Sequence, residues 1–203
     1  MQNKLDLSKT FHNGQNVQFA EYVREFSLLD HRSIFISEAI TSTSAQKVVS
    51  NLLSTDAKSH DPIYIYLNSP GGEINSGFAI YDTIRFIKSP VCIINTGLCA
   101  SIATIINVAV KREFRLSMPN AQFLIHQPLI SGNVVGQASD LEITAKEITK
   151  TREKINRILS EECNQDLDKI KKDTLRDYWM TAKEALDYGL ITKIINHKDE
   201  IPL

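Results

Sequence analysis

The chain is predicted to fold as an α/β domain. Short β-branched and aromatic runs alternate with stretches of helical periodicity, and turns rich in glycine and proline separate them. No repeat or low-complexity linker divides the chain. Its 203 residues suit one domain with a substantial core. A hydrophobic content of 42% beside 23% charged residues fits a globular protein.

The elements follow in order. Residues 1–27 are polar around Gly14, with Phe11, Phe19, Tyr22 and Phe26 scattered without a period, and read as an N-terminal arm leading to a docking segment. Ser33–Ile36 is a short strand. Thr43–Leu53 places Ala45, Val48, Val49, Leu52 and Leu53 at helical spacing, with Ser42 or Thr43 as its cap. Pro62–Asn68 is a β-branched and aromatic strand that stops at Ser69-Pro70-Gly71-Gly72. Paired glycines there permit either a tight turn or backbone N–H groups aimed into open space to hold an anion. A helix follows from Ile74 to Ile87, and then a buried strand from Val91 to Thr96.

Gly97-Leu98-Cys99-Ala100-Ser101 joins that strand to a small-residue helix, Ile102–Val110. Phe114–Met118 and Ala121–His126 are strands about a Pro119-Asn120 turn. Beyond the glycine-broken connection at 131–136 comes a long helix over 139–161, with Ser139 and Glu142 as a capping box. It would be about 34 Å long, more than a domain of this size needs for its own core, which leaves a part for assembly. A short helix spans 166–172. Thr181 and Glu184 form a second capping box, whose helix ends at Gly189 before a strand over 190–195.

Composition excludes several classes. A formal net charge of −1 and the lack of a basic stripe argue against nucleic acid. The first residues contain no apolar signal segment, and the longest apolar run, Cys99–Val110, is too short to span a bilayer. Three cysteines, Cys92, Cys99 and Cys163, include no C-x-x-C pair and read as reduced thiols. His12, His31, His60 and His197 have no metal-ligand spacing, and no metal is expected.

Ser101 at a strand-to-helix junction is either a helix cap or a nucleophile near a helix N-terminus. Amide hydrolysis by serine needs a hydroxyl, a base and oxyanion donors. His126, at a strand end, is the candidate base. Asp177 is the candidate for orienting it, although beside Arg176 it also reads as a plain surface carboxylate. The backbone N–H groups of Gly72 and Ile102 are the candidate donors. Cys99 lies on the strand side of the junction and reads as a buried thiol. Spacing alone does not bring these residues together.

The ordered motifs resemble those of the proteolytic subunit of the Clp protease. They are Ile65-Tyr66-Leu67-Asn68-Ser69-Pro70-Gly71-Gly72, Ile80-Tyr81-Asp82-Thr83, Gly97-Leu98-Cys99-Ala100-Ser101, Met118-Pro119-Asn120, Ile125-His126-Gln127-Pro128-Leu129, Gly136-Gln137-Ala138 and Tyr188-Gly189-Leu190. The resemblance implies a crotonase-like, ClpP-type α/β fold of repeated β-β-α units forming a head, with a protruding handle helix. It places one proteolytic domain over 28–197, with an N-terminal arm or axial segment at 1–27, which does not itself resemble the family's, and a tail at 198–203. It implies a serine endopeptidase with the triad Ser101, His126 and Asp177, oxyanion donors Gly72 and Ile102, and substrate contacts at Gly71, Ile74 and Leu129. No cofactor is implied in this subunit, since ATP is used by a partner Clp ATPase. That partner would dock on Tyr64, Tyr66, Phe86, Leu116 and Ile195. Two stacked seven-membered rings, homomeric or mixed, would meet partly through Arg176 in a cytoplasmic or organellar setting. The other readings are a structural or regulatory ring subunit and an acyl-CoA enzyme of the crotonase fold. For the latter no phosphate-binding basic cluster is visible.

Overall fold

The computed structural model describes residues 31–129 and 136–202. The N-terminal arm and most of the connection at 131–136 lie outside the described residues. Among the described residues seven strands form one sheet: β1 (Ser33–Ile36), β2 (Ile63–Ser69), β3 (Val91–Ala100), β4 (Arg115–Ser117), β5 (Gln122–Ile125), β6 (Tyr178–Thr181) and β7 (Lys193–Ile194). Six α-helices accompany them: α1 (Ser42–Lys58), α2 (Ile74–Phe86), α3 (Ile102–Asn107), α4 (Ala138–Cys163), α5 (Leu167–Asp173) and α6 (Ala182–Tyr188).

Strands β1, β2, β3, β4 and β7 pair in that order and in parallel. Parallel strands with helices between them are buried on both faces, which explains apolar runs such as Ile63, Ile65 and Leu67, all fully buried. The main core lies between the sheet and helices α1, α2 and α3, and takes in Leu52, Ile80, Ile105 and Ile106.

β3 runs four residues past its expected end. Between β2 and β3 the register shifts, since Leu67 faces Asn95 while Ser69 faces Cys99. This irregularity bends the strand around Gly97, and Asn68 Oδ1 closes the bend by accepting from Leu98 N–H at 2.8 Å. The bend divides the partners of β3. Ile93–Asn95 pair with β4, whereas Leu98–Ala100 pair with β5. β5 in turn pairs antiparallel with β6.

Several helix ends differ from expectation. α1 is capped by Thr41 in a reciprocal box with Ser44, not by Ser42 or Thr43. Ile40 is held to the Gly71-Gly72 turn by backbone bonds on both sides, and the chain turns into the helix only after it. α4 starts at Ala138 with Gln137 as an N-cap that makes no side-chain bond, so the box of Ser139 with Glu142 does not form. The Glu142 carboxylate instead accepts from Lys146 Nζ one turn on, at 2.7 Å. The Thr181–Glu184 box does form, and Gly189 ends α6 in the left-handed region.

α4 is about 39 Å long by its rise. Its buried residues, Ile155, Asn156, Leu159 and Cys163, all lie in its last third. The first two-thirds supply no buried residue and so extend beyond the core.

Buried polar groups pin the helices to the sheet. Asn95 Nδ2 donates to Asn107 Oδ1 at 2.7 Å and to Leu116 O at 2.9 Å, and Asn107 Nδ2 donates to Leu190 O at 2.8 Å. Arg115 is 1% exposed. Its guanidinium donates to the carbonyls of Val108, Val110 and Glu162 and pairs with the Glu162 carboxylate. Removing the guanidinium takes the donor from the Val108 and Val110 carbonyls, while Glu162 keeps its pair with Arg85 at 3.2 Å. Arg115→Met is therefore expected to lose about 1–3 kcal/mol of stability, read as a lower denaturation midpoint in urea.

Candidate active site

The β3–β5–β6 pairing positions the site. Ala100 faces Leu124, and Ile125 faces Tyr178. One residue beyond each strand end stand Ser101 after β3, His126 after β5 and Asp177 before β6. In the β5–β6 register the next pair is His126 opposite Asp177. Residues far apart in sequence thus meet at one edge because the strands that carry them are neighbours.

The side chains connect there. His126 Nε2 lies 2.8 Å from Ser101 Oγ, and His126 Nδ1 lies 3.2 Å from Asp177 Oδ1. The imidazole bridges hydroxyl and carboxylate, one ring nitrogen to each, which is the arrangement general-base work requires. The His126 side chain is 15% exposed and that of Asp177 63%.

Ser101 does not act as a helix cap. It occupies the N-cap position of α3 but makes no side-chain capping bond, and its hydroxyl points at His126. Its backbone sits at φ 56° and ψ −126°, a region non-glycine residues rarely enter and which costs about 1–3 kcal/mol. Three bonds hold it there. Ser101 N–H donates to Leu124 O at 2.8 Å, and Ser101 O accepts from the Thr104 N–H at 3.0 Å and the Thr104 hydroxyl at 2.7 Å. A sharp strand-to-helix turn is what lifts a serine hydroxyl clear of its own backbone. Here it is built without the G-x-S-x-G motif.

The Gly71-Gly72 turn backs directly on this junction. A Cβ on Gly71 would lie 2.7 Å from the Ser101 Cβ and 3.2 Å from the Ile102 nitrogen. One on Gly72 would lie 2.1 Å from Ile40 O, so neither position admits a side chain. The N–H groups of Gly72 and Ile102 have no acceptor among the described residues. Both are therefore free to receive an oxyanion. The large Ile102 side chain fits because Gly77 lies against it, where a Cβ would come within 2.2 Å.

A narrow hollow of about 20 Å³ beside Ser101 and His126 is lined by Ile74, Pro128, Ile155 and Leu159. Ile74 thus lines the hollow, whereas Leu129 is 71% exposed at the edge of the described residues. Ile155 and Leu159, from the base of α4, escaped the sequence reading. Their signal was present, since both are apolar positions at helical spacing near the end of the long helix. Farther away, Tyr64 and Tyr66 pack on a small second cluster that includes Leu116 and Ile195. Phe86 stands apart from it, 81% exposed at the end of α2. Arg176 is exposed and makes no hydrogen bond among the described residues.

The Clp protease family model matches residues 16–198. The chain belongs to the Clp protease family. It is 49% identical over 177 residues to the ATP-dependent Clp protease proteolytic subunit 3 of Rhizobium etli, covering 87% of this chain and 90% of that one. Proteolytic subunit 2 of Treponema denticola is 47% identical over 175 residues, covering 86% of each. A solved ClpP1 point mutant from Listeria monocytogenes matches with a TM-score of 0.80 at 40% identity, covering 87% of this chain and 98% of that one. The fold is the ClpP-type fold, and the activity is that of a serine peptidase subunit.

Cys99, two residues before Ser101, is fully buried, and burial pushes its thiol well above the ordinary 9.0. The same cause pushes Cys92 and Cys163 up to about 12. The native chain holds these protons where unfolded thiols release them near 9.0, so the thiols add stability below that pH. That stability is lost as pH rises toward 12. The urea midpoint is expected to fall over that window, and a Cys92→Ala, Cys163→Ala variant to show a shallower fall. Iodoacetamide at about pH 8 is expected to modify the three cysteines only after unfolding.

Proposed function

We propose that Ser101, His126 and Asp177 are the catalytic triad of an endopeptidase that cleaves unfolded polypeptides. The observation that carries the reading is the His126 imidazole, in hydrogen-bond reach of both the Ser101 hydroxyl and the Asp177 carboxylate. Ser101 Oγ attacks the scissile carbonyl while His126 Nε2 takes its proton. The negative charge that forms on the carbonyl oxygen is received by the N–H groups of Gly72 and Ile102, each worth about 2.7–4 kcal/mol in such sites. His126 then gives the proton to the leaving amine, and the C–N bond breaks. Water repeats the sequence on the acyl-enzyme and frees the acid. Asp177 holds the imidazole and stabilises it while it is charged. Substrate lies extended along Gly71, Ile74 and Leu129, pairing through its backbone. The subunit requires no cofactor for this chemistry.

The relatives' description as ATP-dependent proteolytic subunits supports a partner that uses ATP. A Clp-family ATPase feeds the chain, docking on the apolar surface of Tyr64, Tyr66, Leu116 and Ile195 together with Phe86. The exposed part of α4 serves assembly into two stacked seven-membered rings, with Arg176 at their contact. The bacterial relatives and the buried, unpaired cysteines support a cytoplasmic setting.

Steady-state cleavage of a fluorogenic peptide tests the roles. Ser101→Ala is expected to lower kcat by about 10⁴-fold or more, and Asp177→Asn by roughly the same order. A Ser101→Ala rate near that of the wild type refutes the assignment.

A further inference from the structure

The triad's weakest link is Asp177. Its carboxylate is exposed, and among the described residues its only side-chain bond is the one to His126. The segment between α5 and β6 that carries it is bound to Gln127, the residue after His126. The Gln127 backbone N–H donates to Thr174 O at 2.7 Å, and its side-chain Nε2 donates to Leu175 O at 3.0 Å. The two bonds tie the residue beside the imidazole to carbonyls three and two residues before the carboxylate.

The far side of this clamp is anchored too. Thr174 is 1% exposed, and its hydroxyl lies 2.8 Å from Ile170 O and 3.0 Å from Asn156 Oδ1. Asn156 is 3% exposed and sits at the base of α4, beside Ile155, which lines the hollow next to Ser101. From α4 through Asn156, Thr174 and Gln127 to His126, each step is one hydrogen bond or one peptide link.

We propose that Gln127 is a positioning residue, whose amide fixes the distance between His126 and Asp177, with Asn156 and Thr174 as its anchor on α4. The proposal rests on the triad reading given above. A positioning residue acts through another group, so its effect must vanish when that group can no longer do its work. A purely structural residue would lower activity whatever stood at position 177.

The test is a double-mutant cycle on the full chain, read as kcat and KM for a fluorogenic peptide. Gln127→Leu removes the side-chain donor at similar volume. It is expected to lower kcat about 10- to 100-fold, the cost of misplacing a reacting group by a fraction of an ångström to an ångström, with KM within about two-fold. In the Asp177→Asn background the same change is expected to cost less than about two-fold. Gln127→Glu keeps the side-chain length without a donor and is expected to behave as Gln127→Leu does, so the cycle can be read if either variant folds. An unchanged kcat, or an equal loss in both backgrounds, overturns the proposal while leaving the triad standing. If Asp177→Asn itself leaves kcat unchanged, the triad reading fails and the proposal fails with it.

Discussion

Hydrogen-bond register is the constraint from which the site follows. Side chains alternate faces along a strand, so a slip of one residue between β3 and β5, or between β5 and β6, would turn Ser101, His126 or Asp177 to the wrong side. The register is fixed from the core outward. Cys99, Phe123 and Met180 face one another across the three strands and are buried on the same side of the sheet. Their packing sets which residues stand at the strand ends. The meeting of Ser101, His126 and Asp177 at one edge thus follows from the register that these core residues set.

A second constraint is the backbone of Ser101. Its conformation is unfavourable on its own, and the neighbouring bonds to Leu124 and Thr104 hold it. The Gly71-Gly72 turn belongs to the same device, because a side chain on Gly71 would collide with Ser101 and Ala100 O. The backbone around Ser101 and the glycine turn that carries the Gly72 N–H therefore pack as one unit. Ile102, a large residue directly after the serine, is accommodated by Gly77 without disturbing it.

Much of this was legible in the sequence, for local reasons. The runs at Ile63–Leu67 and Val91–Ile94 announce strands. Gly189 marks a helix end, and Thr181 with Glu184 marks a helix start, because each acts within a few residues. What was not legible is non-local. Gly97 reads as the end of a strand, yet β3 continues through it because Asn68, on another strand, caps the bend. Ser139 and Glu142 match a capping box, but Lys146 competes for the carboxylate. Ser101 matches a helix cap until the histidine beside it is known. Asp177 stands 51 residues from His126 with no local mark of function, and only strand pairing or a resemblance to known proteins brings the two together.

If strand pairing gives Ser101 an activated hydroxyl, a fluorophosphonate will react there. Treating the assembled protein with that reagent and mapping the adduct by mass spectrometry is expected to show one modified residue, Ser101, and loss of that adduct in His126→Ala. An adduct on Cys99 or on another serine, or a Ser101 that stays unmodified in a preparation that cleaves peptides, would contradict that activation.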